Sequence, residues 1–274
     1  MRKSGRGQAL GSVPHLPRAG NMTKECLVIY EWDPLIEMAD LFDVAMRFLE
    51  QRGYVLARGK MQADGRVRSA KASSVQTLRS LGPHLKFIEI ELERREEVAS
   101  LLVSKSNEHK RNMVVVAPQD ATPLFGLFPD IAKLGELRYG IGYPWHRPDS
   151  PVLHAVGITH GVPRTEPARS SATTDSVWFA ERIPMGKNAP RMRHLQGMVR
   201  DVYEENLISA THLEMSLGKS SLGSWIRESS VGTLEALGRN NFLWRLNRAK
   251  QRVVARENLA ASQLLIAPYA APPP

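Results

Sequence analysis

The chain has 274 residues, 42% hydrophobic and 24% charged, which is enough for one large domain or two small ones with a full apolar core. A single cysteine, Cys26, excludes an internal disulfide, and no apolar run reaches the roughly eighteen residues of a membrane-spanning helix. The net charge of +9 is concentrated at the ends, because residues 1–21 carry +4 and residues 238–274 carry +5 while the body between them is neutral. That geography speaks for polyanion attraction at the termini only. No apolar segment of signal-peptide type follows the basic N-terminus, so a cytoplasmic protein is expected.

Residues 1–21, rich in Gly, Pro and Arg, read as a disordered basic arm. CLVIYEW (26–32) reads as a short apolar strand. In 35–53, Leu35, Met38, Phe42, Ala45, Met46 and Leu49 recur at three and four, which predicts an amphipathic helix ended by Gly53. YVLAR (54–58) returns as a strand, and ADG (63–65) is a turn signal. LKFIEIELE (85–93) alternates apolar and acidic residues as a half-exposed strand does. EEVASLLVSKS (96–106) is read as a helix and NMVVVAPQ (112–119) as a buried strand closed by Pro118.

ELRYGIGYPW (136–145) and PVLHAVGITHG (151–161) read as two antiparallel strands around HRPDS. Residues 162–175 form a polar linker or long loop, and SVWFAERI (176–183) opens a second, mostly helical and hairpin region. GTLEAL and FLWRL flank GRNN as a hairpin, 247–263 forms a helix, and LLI (264–266) closes a sheet edge. The expected organisation is an α+β N-terminal region at 22–161, a smaller α+β C-terminal region at 176–266 and a disordered tail at 267–274. Without a repeating βαβ unit, the fold class is α+β, with a mixed, largely antiparallel sheet and packed helices.

The candidate sites are few. His146, His154 and His160 cluster in sequence, but on a strand the last two stand about 20 Å apart, too far for one ion. No metal and no cofactor are expected. Gly-Lys-Ser at 218–220 lacks the preceding glycine of a phosphate loop, because Leu213 stands there, and leaves Lys219 as a turn residue. The glycines of YGIGY are read as marking bulges or close packing. Cys26 begins a buried strand, where thiols are inert.

MVRDVYEENLISATHL (198–213) gathers Arg200, Asp201, Glu204, Glu205 and His212. It reads as strand or irregular backbone to Asn206, then a short helix capped by Ser209. Arg200, Asp201 and Glu204 are expected to form a structural charge network, since charges between Met198–Val199 and Val202–Tyr203 are tolerated only when paired. On a helical wheel, Phe242, Leu246, Ala249 and Val253 make an apolar stripe beside Arg245, Arg248, Arg252 and Arg256. Those four arginines, with Trp244 as a stacking ring, are the candidate polyanion-binding residues.

The runs MVRDVYEENLISATHL, LGSWI, GTLEAL and FLWRL, with RYGIGY and LHAVGI as a central strand pair, resemble bacterial immunity-like α+β proteins of polymorphic toxin systems. The likeness covers about 136–266 and transfers no binding residue by position. It implies a protein that binds a protein partner, a toxin in that setting, and does no chemistry. The alternatives are a nucleic-acid-associated protein using the basic arm and the arginine helix, and a hydrolase built on Asp201 and His212. No membrane partner is expected.

Overall fold

The computed structural model describes residues 23–69, 80–81, 84–107, 110–146, 150–157, 172–182 and 191–267. The basic arm, residues 162–171 of the linker, His160 and the tail from 268 onward lie outside the described residues.

The fold is α+β. Among the described residues its frame is one ten-stranded sheet, in the order β11-β12-β8-β7-β1-β6-β5-β4-β2-β3. The strands are β1 (Lys24–Trp32), β2 (Val55–Ala63), β3 (Arg66–Ser69), β4 (Leu85–Arg94), β5 (Glu97–Asn107), β6 (Lys110–Pro118), β7 (Leu137–Trp145), β8 (Glu205–Ser209), β11 (Thr233–Ala236) and β12 (Asn241–Arg245). A separate two-stranded pair joins β9 (Ser216–Leu217) to β10 (Ser220–Ser221). Every neighbouring pair in the large sheet is antiparallel. Strands from both sides of the 162–175 segment therefore share one sheet, with β7 and β8 as direct neighbours.

The sheet is buried on both faces at its centre, so β1 is apolar from Cys26 to Tyr30 and alternates there between two cores. Leu27 and Ile29 enter the first core, while Cys26, Val28 and Tyr30 enter the second. α1 (Met38–Gln51) covers the first, presenting Met38, Leu41, Phe42, Ala45, Met46 and Leu49. It is joined by α2 (Leu127–Ala132). The second core is covered by α3 (Pro151–Val156), α4 (Ala172–Arg182), α5 (Ala210–Glu214), α6 (Leu222–Ser229) and α7 (Ala249–Ala261). Among the described residues no helix is long and apolar enough to cross a membrane.

Several local expectations are corrected. Leu35 lies before the helix and is 89% exposed, because α1 starts at Met38. Residues 97–107 form the strand β5 and not a helix: Ala99, Leu101 and Val103 face the first core, while Leu102 packs on the second. Residues 151–156 form a helix and not a strand, with Ser150 accepting from the Leu153 amide, Pro151 in the first turn and Gly157 closing at φ +85°. The antiparallel partners of β7 are β1 and β8. Residues 264–266 make only an isolated parallel bridge, Val199 to Leu265.

The glycines of RYGIGY serve close packing, without a bulge in the β1–β7 register. A Cβ on Gly140 would stand 2.8 Å from the Val28 carbonyl oxygen, and one on Gly142 would stand 2.7 Å from the Phe125 ring and 2.9 Å from Glu205 Cβ. Overpacking of this kind costs about 1–3 kcal/mol. Gly142→Ala is expected to lower the thermal midpoint by several degrees. A midpoint equal to the parent's in a calorimetric scan would contradict this packing.

Candidate functional site

The 198–213 stretch lies beneath the helices of the second core. After a 3-10 turn at Arg193–Gln196, the Val199–Leu265 bridge draws the chain inward and delivers Arg200 with no solvent exposure. Its backbone amide donates to Tyr139 Oη at 2.9 Å. Nη1 donates to Tyr30 Oη at 2.9 Å and to the Ala155 carbonyl at 3.0 Å, and Nη2 donates to the His154 carbonyl at 2.7 Å. The guanidinium lies 5.2 Å from the centroid of the buried Trp178 ring, whose Nε1 donates to the same Ala155 carbonyl.

Asp201 points the other way, onto α7. Its Oδ1 accepts from Arg256 Nε at 2.6 Å and from the Val202 amide at 2.7 Å, while Arg256 Nη2 donates to the Val202 carbonyl. Glu204 pairs with Arg252 at 3.1 Å near the surface. Two further pairs were not singled out from the sequence. Arg182 of α4 reaches Glu31 and Asn112, and Arg193 binds Glu181. Burial pushes the Glu31 carboxyl up from its usual range, and the Arg182 charge opposes that shift. Glu31 also holds a positive φ of 52°, a costly backbone for glutamate. A charge within the apolar run LVIYEW was the available sequence signal for this pair.

Two buried imidazoles complete the cluster. His212 Nδ1 accepts from the Ser209 amide at 3.2 Å and so caps α5, while its ring stacks on Tyr139 at 5.5 Å. Burial holds its pKa down at about 4. His194, with no solvent exposure, packs against Trp178 and Tyr139, and neither ring nitrogen has a hydrogen-bond partner among the described residues. Burial first, then the Arg182 and His212 charges, holds His194 well below the usual histidine range. Asp201 and His212 are thus occupied by different partners. Cys26 is buried, and its thiol is pushed up to about 12, chiefly by burial. This arrangement ties elements together and keeps its imidazoles neutral. His146, by contrast, is exposed, 3.3 Å from Thr23 Oγ1, and the described residues hold no metal-ligating group of three.

The arginine stripe is dispersed, because a strand interrupts the assumed wheel. Arg245 lies on β12 and binds Glu205 at 3.1 Å and Glu235. Arg252 and Arg256 are the α7 residues already paired with Glu204 and Asp201. Trp244 is fully buried, donating from Nε1 to the Val231 carbonyl at 2.8 Å, so its ring is not offered to a base. Arg248, at the N-cap of α7, stays at the surface.

Among the described residues, no helix covers the face opposite α1 at the β2–β3 end of the sheet. Val55 pairs across Glu93 with Val98, Arg58 with Glu91, Lys60 with Glu89, and Val67 across Gln62 with Phe87. These residues share the sheet face opposite α1, and Val55, Val67 and Val98 are 66%, 61% and 43% exposed. Salt bridges of 2.7 Å (Arg58–Glu91) and 2.8 Å (Lys60–Glu89) lie between them.

No family model and no curated protein matches the sequence. Among solved structures, the chain is similar to the Pseudomonas aeruginosa T6SS protein PA0821, at 11% identity and a TM-score of 0.48, over 89% of this chain and 73% of that one. A likeness this loose assigns no role.

Two outcomes test the buried cluster. Asp201→Ala removes the carboxylate that Arg256 Nε binds at 2.6 Å and is expected to cost about 3–5 kcal/mol in chemical denaturation, while Asp201→Ala combined with Arg256→Met recovers much of it. A full-stability Asp201→Ala would contradict the pair. For His212, the folded pKa is depressed, so between pH 6.5 and about 4 the unfolded chain binds the extra proton and stability falls as pH falls. The loss is on the order of 3 kcal/mol, and His194 adds in the same direction. Glu205, raised by burial to about 7, acts oppositely: its contribution is present below its unfolded pKa and is lost as pH rises toward 7. Unfolding midpoints across this window should therefore depend less on pH in His212→Gln than in the parent; identical slopes would remove His212 from the balance.

Proposed function

We propose that the chain is a non-enzymatic protein-binding protein of the immunity type that its C-terminal sequence resembles. Its partner, a protein toxin in this reading, docks on the open face of β3, β2, β4 and the start of β5. The carrying observation is the exposed Val55, Val67 and Val98 set on one face beside a terminal strand. Among the described residues the outer edge of β3 pairs with no other strand, so its backbone can accept an extended segment while the valines supply apolar contact. The intervening pairs Arg58–Glu91 and Lys60–Glu89 are exposed and contribute only about 0–1 kcal/mol each, so a partner can re-pair them at little cost. This reading separates the surface that binds from the buried charges that hold the fold.

The test uses the product of the adjacent reading frame. Co-expression with the full chain is expected to protect cells from that product, and the two proteins should co-elute. Val55→Asp and Val67→Asp should weaken the complex by about tenfold or more, as loss of a central apolar contact does, without changing thermal melting. Protection that survives both substitutions would remove the docking face. A neighbouring product that neither harms cells nor binds would remove the toxin-neutraliser reading.

A further inference from the structure

A cavity of about 500 Å³ opens between the end of α6, the β11–β12 hairpin and the start of α7. Arg227, Arg245 and Arg248 all line it, from three separate elements. Ser230, Thr233 and Gln251 add hydroxyl and amide groups, and no lining residue is acidic. The charge of Arg245 is met by Glu205 and Glu235, neither of which lines the cavity. Arg227 and Arg248 have no carboxylate partner among the described residues.

This arrangement is electrostatically one-sided on a chain whose body is neutral in composition. Arg248 occupies the N-cap of α7, where Ser, Thr, Asp or Asn ordinarily stands, and the first turn of α7 holds no acidic residue. A cation there opposes the positive end of the helix dipole, so an anion in the cavity would relieve both the guanidinium repulsion and the dipole.

We propose that this cavity binds the phosphate group of a small phosphorylated molecule. Guanidinium forks bind phosphate through paired charge-assisted hydrogen bonds, and the tetrahedral group offers enough acceptor oxygens for two free arginines and the Ser230 and Thr233 hydroxyls together. The volume suits a small molecule, since such sites run to about 300–1,000 Å³. The site lies beside β11, at the opposite end of the sheet from β3, so it stands independently of the protein-docking face.

The experiment is titration calorimetry on the full chain with pyrophosphate, inorganic phosphate and citrate, at constant ionic strength set with chloride. The parent is expected to bind one equivalent of pyrophosphate, and citrate more weakly. Arg227→Gln and Arg248→Gln should each weaken pyrophosphate binding by about tenfold or more, the scale of one lost charged hydrogen bond. Both arginines are exposed, so the variants should melt as the parent does. Arg239→Gln, in the exposed hairpin turn outside the cavity, should bind as the parent does. The proposal is overturned by a parent that binds no pyrophosphate, by cavity variants that bind it unchanged, or by an equal loss in Arg239→Gln, which would mean diffuse charge attraction. Tighter binding of citrate than of pyrophosphate would overturn the phosphate assignment.

Discussion

The buried guanidinium of Arg200 organises the layer over the second core. Desolvating it costs several kcal/mol, and only close, oriented acceptors offset that cost. Two come from the last turn of α3, the His154 and Ala155 carbonyls, where the negative end of a helix dipole favours a cation. A third is the Tyr30 hydroxyl on β1, and the Trp178 face of α4 closes the remaining side. A six-residue helix such as α3 has little stability alone, so its place on the sheet is set by what grips it. Arg200 grips it while its own backbone amide is tied to Tyr139 on β7.

The same device recurs across that layer. Arg182 fastens α4 to Glu31 at the end of β1, and Arg256 fastens α7 to Asp201. Apolar burial supplies the attraction, but it has no direction, and short helices on a broad sheet could settle in several registers. A buried charge tolerates only the register that satisfies it, because any other leaves it unpaired in a medium of low dielectric. The arginines thus select one arrangement among several of similar apolar area. The other side of the sheet is packed differently. There α1 carries a long apolar stripe at helical spacing, and apolar packing of that stripe carries most of the contact.

That contrast explains what the sequence made legible. α1, β1, β4, β6 and the β11–β12 hairpin were readable because one period dominates each, or because the chain is apolar between clear turn signals. β5 was not, since Val98, Ser100 and Leu102 on one face and Ala99, Leu101 and Val103 on the other give a nearly continuous apolar run in which neither period wins. α3 was not, because Val152, Leu153, Ala155 and Val156 form a short apolar run whose period does not separate strand from helix, although Ser150–Pro151 and Gly157 punctuate it as a helix. Of the candidate residues, Arg200 and Asp201 could be singled out as charges among apolar neighbours. Their partners could not, because Tyr30 is 170 residues away in sequence and Arg256 is 55 away. Arg227 sits in an ordinary polar helix end, and only the folded chain brings it beside Arg245 and Arg248.

The exposed valine face of β3, β2 and β5 poses a different physical problem. Exposed valines on a sheet face, next to a terminal strand, invite indiscriminate strand addition. Two features limit that hazard. β3 is only four residues long and carries Arg66 and Arg68, so an approaching edge meets few backbone groups and two cations to desolvate. The Arg58–Glu91 and Lys60–Glu89 pairs of β2 and β4 then break the valine surface into patches, so a flat apolar body laid on that face would leave both pairs poorly solvated. Under the proposed docking, such a surface would reject most partners and accept one whose own charges alternate with apolar residues at the same spacing. Selectivity there would come from the cost of wrong partners more than from the strength of the right one.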